Sequence, residues 1–383
     1  MVANKQFRIG IDARLAGQAH AGIGRYSENL IRELLPLADQ AKNLETTFVI
    51  FFFDRRQAKQ VLGNSLNHPR IELVFTGIKH YGLREQLLLP MIYRRAHLNL
   101  LYVPHWNVPL AYSGKLIITI HDLLWHEQKG LQATTLKAWQ YPIKYLAYRL
   151  ISSRAIKRAQ AIFVPSRTIY KTIVHYYPSS KNKVLISKEG IAPAYQKALH
   201  APKLKQKIHK QLIYTGSLYP HKNLKLIIKS LKKLPKYKLL IASSRNLFQD
   251  QIKALISNYK VKKQVIFLGY VKDEKLIELY QKSLALVQPS FSEGFGLTGV
   301  EAMASQTAVL ASDIPIFRET YGKAAFFFDP HSPEDFLRAV KNLELSERKQ
   351  VLRRGSELAA SYSFAWMARD IWQEFQKHLS EEV

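Results

Sequence analysis

Two successive α/β domains, each a parallel sheet with helices on both faces, are the fold this sequence predicts. Three observations carry that expectation. Short apolar runs of four to seven residues alternate with helical stretches along the chain, as parallel sheets with crossover helices require. The alternation occurs twice, with a lysine-rich break between. The length of 383 residues accommodates two domains at roughly 100–200 residues each.

The first series begins with a strand at Phe7–Asp12, a glycine-bearing loop (AGQAHAGIGRY) and a helix over about Arg25–Leu35. Further strands read at Thr47–Phe53, Ile71–Phe75, Leu100–Val103, Leu116–Ile120 and Ala161–Val164, with Val184–Ile186 as a further candidate. The pattern loosens into QKALHAPKLKQKIHKQ, so the first domain is set at 1–195 and a linker at 196–210. The second domain, 211–362, carries strands at Leu212–Thr215, Lys238–Ala242, Val265–Leu268, Leu284–Gln288, Ala308–Ala311 and Ala325–Phe328.

Composition narrows the function. A hydrophobic fraction of 47% is too high for a disordered chain. Cysteine is absent, which excludes disulfides, thiolate catalysis and Cys-ligated metal sites. The opening residues MVANKQFRIGIDARL show no apolar leader, and the longest apolar run, Phe48–Phe53, is too short to span a bilayer. A cytoplasmic protein, soluble or peripheral on the inner face of the cytoplasmic membrane, is expected. Lys and Arg number 57 against 29 Asp and Glu, a net charge of +28. The imbalance is concentrated: from Gln128 to Gln249 the only acid is Glu189, against 25 basic residues. Such a face either meets a polyanion, membrane or nucleic acid, or is simply solvated.

In doubly wound sheets, ligands bind beyond the carboxyl ends of the strands, so the residues there matter most. After the first strand come Asp12, then Gly22, Gly24 and Arg25, a set suited to an anion at a helix start; a plain strand–helix turn explains the glycines equally. His121 and Asp122 follow the strand ending at Ile120, where His121 is either a ligand donor or a core histidine. Gly216 ends a strand, and Lys222 precedes a helix whose Leu224, Ile227, Ile228 and Leu231 recur at helical spacing. The stretch PSFSEGFGLTGVEAMA places Glu293 before Gly294-Phe295-Gly296-Leu297 and Glu301 eight residues on. Glycines before a helix make a phosphate cradle, and flanking carboxylates can accept from sugar hydroxyls. The same stretch spells a dinucleotide fingerprint, Gly294-x-Gly296-x-x-Gly299, with Asp313 after the next strand. It lies late in its domain, however, where a nicotinamide fingerprint normally opens one.

Taken together these motifs resemble the retaining, nucleotide-sugar-dependent glycosyltransferases of the GT-B fold, in particular bacterial mannosyl-, glucosyl- and N-acetylglucosaminyltransferases. PSFSEGFGLTGVEAMA is similar to that family's E-x(7)-E motif, GSLYPHKN to its donor-phosphate lysine segment, and IDAR…GIGRY to its N-terminal glycine loop. SDIPIFRE and FFFDPHSPEDF also match. The resemblance implies two Rossmann-like domains facing a central cleft, with a final helix, 363–383, crossing back to the first domain. It implies that Glu301 binds the ribose, that Glu293 faces the donor sugar, and that the amides of Phe295, Gly296 and Leu297 hold the diphosphate. Lys222 would neutralise the leaving phosphate, His121 would contact the sugar, Gly216 and Ser217 would line the nucleotide-sugar site, and Gly22, Gly24 and Arg25 would form the acceptor and phosphate loop. No D-x-D motif is present, so a metal-independent reaction with no cofactor is expected, with a GDP- or UDP-linked hexose as donor and a glycan or lipid-linked acceptor. Two positions depart from the family's pattern. Its second cation is replaced by Ser217 and His221, leaving Arg245 or Arg25 as substitutes, and its Cys-Gly-Thr-Pro run reads Ser305-Gln306-Thr307-Ala308. An apolar stripe, Leu136, Trp139, Ile143, Leu146 and Leu150, flanked by basic residues and bent at Pro142, suggests an anionic membrane surface as a partner; no nucleic acid is expected. The competing reading is a catalytically silent, basic polyanion- or membrane-binding module on the same fold.

Overall fold

The computed structural model describes residues 6–17, 21–41, 45–127, 139–202, 210–244, 247–343 and 348–380. The chain forms two compact units. One comprises Met1–Trp125, Leu136–Gly190 and Phe364–Val383; the other comprises His126–Thr135 and Ile191–Ser363.

The first unit holds seven strands: β1 (Gln6–Asp12), β2 (Glu45–Phe52), β3 (Ile71–Phe75), β4 (Leu100–Val103), β5 (Leu116–Thr119), β6 (Ala161–Val164) and β7 (Val184–Ile186). All pair in parallel, in the order β3-β2-β1-β4-β5-β6-β7. Alternate side chains feed opposite faces: Phe48, Ile50 and Phe52 enter one core, Val49 and Phe51 the other. This is why the strands read as continuous apolar runs. The helices Ala21–Gln40 and Phe364–Ser380 cover one face together, with Leu30, Ile31 and Leu34 clustered with Ile371, Trp372 and Phe375.

The second unit holds β8 (Gln211–Thr215), β9 (Lys238–Ala242), β10 (Val265–Gly269), β11 (Ala285–Gln288), β12 (Ala308–Ser312) and β13 (Phe326–Phe328). They too are parallel, ordered β10-β9-β8-β11-β12-β13. Ile213, Leu240 and Leu286 enter one core; Leu212, Leu239 and Val287 enter the other.

Four local expectations are corrected. The boundary falls at Gly190/Ile191 rather than after 195. Pro193–His200 is a helix with Tyr195 and Ala198 buried, so the supposed linker begins as packed helix; residues 203–209 lie outside the described set. The first helix begins at Ala21, not Arg25, so Gly22 and Gly24 stand in its opening turn instead of a loop. Pro142 does not bend its helix. That helix runs Gln140–Arg158, and Pro142 sits in the first turn, where no intrahelical N–H bond is due.

Candidate active site

Both sheets reverse strand order once, and each reversal gathers polar side chains. In the first unit the reversal lies between β1 and β4. Arg14, two residues past β1, is 1% exposed and lies between two buried carboxylates. Its Nε and Nη2 donate to Asp12 at 2.9 and 2.7 Å, and Nη2 donates to Glu85 Oε1 at 2.8 Å. Glu85 Oε2 accepts from the Tyr81 amide (2.7 Å) and from Asn107 (2.8 Å), while the Tyr93 hydroxyl donates to Asp12 (2.9 Å). Burial pushes Asp12's pKa up, but Arg14's charge and hydrogen bonds outweigh it and hold the group below its ordinary value. Gly24 closes this region. A Cβ there would lie 1.9 Å from the Gly17 carbonyl oxygen, so only glycine fits, whereas a Cβ at Gly22 meets nothing within 4 Å. Gly24 is therefore required by backbone packing. Arg25 is partly exposed on the same helix.

His121 follows β5, beside β4. Its Nδ1 is 2.7 Å from Glu189 Oε1 and its Nε2 3.2 Å from the Pro104 carbonyl oxygen. The Tyr26 ring meets it edge-on at 4.6 Å. A sugar contact from this ring therefore requires exchanging the Pro104 bond, the longer of the two. Asp122 accepts from the Leu124 amide at 3.1 Å.

In the second unit the reversal lies between β8 and β11. Adjacency of these strands brings together two segments about 70 residues apart in sequence. The Phe291 amide donates to the His221 carbonyl at 2.8 Å, joining the two loops. Lys222, in the turn Pro220–Lys222, lies 2.7 Å from Glu293 Oε2, and Ser290 Oγ donates to Glu293 Oε1 at 2.8 Å. Burial acts to raise the Glu293 pKa, but Lys222 and Ser290 together hold it below its ordinary value. His221 is no second cation: burial, reinforced by Lys222, lowers its pKa to about 4. Arg245 lies outside the described residues.

The glycine loop is shaped from behind. Thr320 Oγ1 donates to the Phe295 carbonyl (3.0 Å), and the Tyr321 hydroxyl donates to the Gly296 carbonyl (2.5 Å). In a trans peptide the N–H opposes the C=O. Pinning these two carbonyls inward turns the Gly296 and Leu297 amides the other way, ahead of the helix Leu297–Ala304. Gly296 has φ +93°, and a Cβ on it would lie 2.3 Å from the Tyr321 hydroxyl. Gly296 and Gly299 of the dinucleotide fingerprint thus make room for Tyr321, and Gly296 also for Phe317, while Asp313 is held bidentately by Arg318 at 2.6 and 2.7 Å. Neither is arranged for a nicotinamide ribose. Glu301 is completely buried on the following helix, in contrast to the partly open Glu293. Gly216 (φ +143°) and Ser217 follow β8 as expected, and the Tyr214 hydroxyl donates to the Ser217 carbonyl.

Sequence reasoning missed Arg14, Glu85 and Glu189 as site residues. Only Glu189 left a trace, as the lone acid in a basic stretch. Glu85 comes from a distant helix, and only the fold brings it to Arg14.

Residues 196–357, within the second unit, match the family model described as glycosyl transferases group 1. That segment is a glycosyltransferase group 1 domain, and the two parallel-sheet units have the GT-B fold. It is 25% identical over 91% of its length, and 94% of the relative's, to the O-antigen chain mannosyltransferase RfbU of Salmonella typhimurium. It is 24% identical over 90% of its length to the O-antigen chain mannosyltransferase B of Escherichia coli, covering 92% of that protein. Among solved structures, the sucrose-phosphate synthase of Thermosynechococcus elongatus shares the fold with a TM-score of 0.71 at 15% identity, over 98% of this chain and all of that one.

Proposed function

We propose that the protein is a retaining, metal-independent transferase that moves mannose or a related hexose from a nucleoside-diphosphate sugar to a glycan or lipid-linked acceptor. The observation that carries this reading is the pairing of Lys222 with Glu293 beside two outward-turned amides at the β8/β11 reversal. In transfer, the acceptor oxygen bonds to the sugar's anomeric carbon as the carbon–oxygen bond to the diphosphate breaks. The acceptor's proton passes to the leaving phosphate oxygen. Lys222 and the Gly296 and Leu297 amides meet the charge developing there, which is where fixed donors lower a barrier most. Glu293 faces the sugar, Glu301 the ribose, and His121 a sugar hydroxyl.

The test is thermal unfolding with GDP, UDP and ADP in turn, followed by GDP-mannose turnover in EDTA. A nucleotide at about 100 times its Kd adds about 2.7 kcal/mol to the unit that binds it. One nucleoside diphosphate should shift the transition, and Lys222→Ala should lower turnover about 100- to 1,000-fold. No shift with any of the three, and no turnover, would leave the catalytically silent reading standing.

The acceptor side has its own support. Of the apolar stripe, Leu136 lies outside the described residues; Trp139, Ile143, Leu146 (71% exposed) and Leu150 lie open on or beside the helix Gln140–Arg158, among Lys144, Arg149 and Lys157. These are not core-packed residues. Leu83 (82% exposed), Leu87 and Met91 make a second open stripe on the helix Leu83–Arg95, which ends in Arg94 and Arg95. Among the described residues no helix is long and apolar enough to cross a membrane. Apolar stripes set in positive charge suit an anionic lipid surface. The protein should float with vesicles containing phosphatidylglycerol at low salt, and Leu146→Glu should release it. Failure of the wild type to bind at any salt concentration would remove the membrane proposal and leave the enzymatic one intact.

A further inference from the structure

We propose that Glu189 is the positioning residue of His121, keeping both imidazole nitrogens as hydrogen-bond donors at the carboxyl end of the first sheet. The inference rests on the glycosyltransferase reading for its kinetic consequence, and on the geometry alone for the rest.

Glu189 stands one residue before the first unit ends at Gly190. It is 7% exposed, and it is the sole acid among 25 basic residues between Gln128 and Gln249. A carboxylate costs free energy to bury, and a basic surface offers it many exposed partners instead. Its carboxylate is nonetheless turned inward, 2.7 Å from His121 Nδ1.

The imidazole's other neighbour decides its proton count. Nε2 faces the Pro104 carbonyl oxygen, which can only accept, and Nδ1 faces a carboxylate, which when ionised also only accepts. Both bonds form together when the ring carries both protons, and the negative charge of Glu189 is what balances that ring. Among the described residues, Tyr26 beside the ring supplies no substitute anion. Tyr26, edge-on to it, donates to or accepts from the Tyr102 and Thr119 hydroxyls at 2.8 and 3.0 Å. Burial raises the pKa values of Tyr26 and Tyr102, so both stay neutral. His105 adds no competing cation, because burial, with His121 next in effect, lowers its pKa to about 3. The ring is thus fixed by one strong bond at Nδ1 and an aromatic edge, while its weaker Nε2 bond is the one a sugar hydroxyl can take over from Pro104.

The full chain, labelled with 15N-histidine, tests this by long-range proton–nitrogen correlation, with the His121 signal assigned by its loss in His121→Gln. At about pH 7 the wild-type His121 should show both nitrogens protonated. Glu189→Gln should convert it to a neutral ring with one bare nitrogen. That variant should keep its GDP affinity within about twofold and lose GDP-mannose turnover by about tenfold or more. Glu189→Asp should retain both the doubly protonated ring and intermediate activity, a graded rescue that a merely structural contact would not produce. A bare nitrogen on wild-type His121, or a Glu189→Gln protein with unchanged spectrum and turnover, would overturn the proposal. If the wild type binds no nucleotide and turns over no GDP-mannose, the functional reading fails, while the spectra still decide the state of His121.

Discussion

Glu293→Gln should bind nucleoside diphosphate more tightly than the wild type while transferring sugar far more slowly. In the free protein the Lys222 ammonium already has an anion, the Glu293 carboxylate at 2.7 Å. A diphosphate arriving at the same lysine must compete with it. The competition persists at neutral pH, because Lys222 and Ser290 overcome the effect of burial and hold the Glu293 pKa below its ordinary value. The amide variant keeps the shape and the Ser290 contact but removes the charge, so Lys222 is released to the ligand. For a partly exposed pair the release is worth about 1 kcal/mol, or roughly a fivefold gain in affinity. Transfer moves the other way. If Glu293 faces the reacting sugar, losing its charge removes an interaction made in the transition state and lowers turnover by about a hundredfold or more. The measurement is calorimetric titration with GDP and UDP beside steady-state turnover. Weaker nucleotide binding in Glu293→Gln would mean that Glu293 steers Lys222 onto the phosphate instead of competing with it. Undiminished turnover would remove Glu293 from the chemistry altogether.

The opposed signs of these two effects follow from adjacency that no local pattern in the chain encodes. Lys222 and Glu293 were each legible as members of strand-end motifs, because strand ends and glycine turns have local signatures. That they are ion-paired depends on β8 and β11 being neighbours, which is set by the crossover path. The strands themselves were readable to within a residue or two, since strands buried on both faces become unbroken apolar runs. The failures share a different cause. Gly22 and Gly24 look alike in sequence, yet one is unconstrained and the other has no room for a Cβ beside the Gly17 carbonyl. Pro142 looks like a kink until the helix start is known. The helix Pro193–His200 hides in a lysine-rich stretch because only its Tyr195 and Ala198 are buried. Sequence pattern reports which residues seek burial, and says little about which distant backbone or charge they will meet.

That limit is sharpest at Arg14, whose replacement by alanine should be the most destabilising single change in the first unit. Asp12, Arg14 and Glu85 are all buried, and Arg14 is the one guanidinium bound to both carboxylates. Removing one partner from such a cluster leaves uncompensated charge in a poorly solvated site, at a cost of about 3–5 kcal/mol. For a unit of this size each kcal/mol lowers Tm by about 2–4 °C. The pH dependence should also reverse. In the wild type Asp12 has a depressed pKa despite its burial, so its stabilisation is complete above the unfolded value of about 3.9 and is lost as pH falls through the folded one. Without Arg14's charge and side-chain bonds, burial is the largest influence left on Asp12 and raises its pKa above the unfolded value. Such groups stabilise the fold at low pH and lose that contribution as pH rises, so Arg14→Ala should be more stable near pH 5 than near pH 7. Denaturant melts at both pH values measure this directly. A triple replacement, Asp12→Asn with Arg14→Met and Glu85→Gln, should recover most of the loss and abolish the reversal, because no buried charge remains to be compensated. A loss below about 1 kcal/mol in Arg14→Ala, with the wild-type pH slope retained, would show that water reaches these carboxylates and that the cluster is not the closed charge network its distances describe.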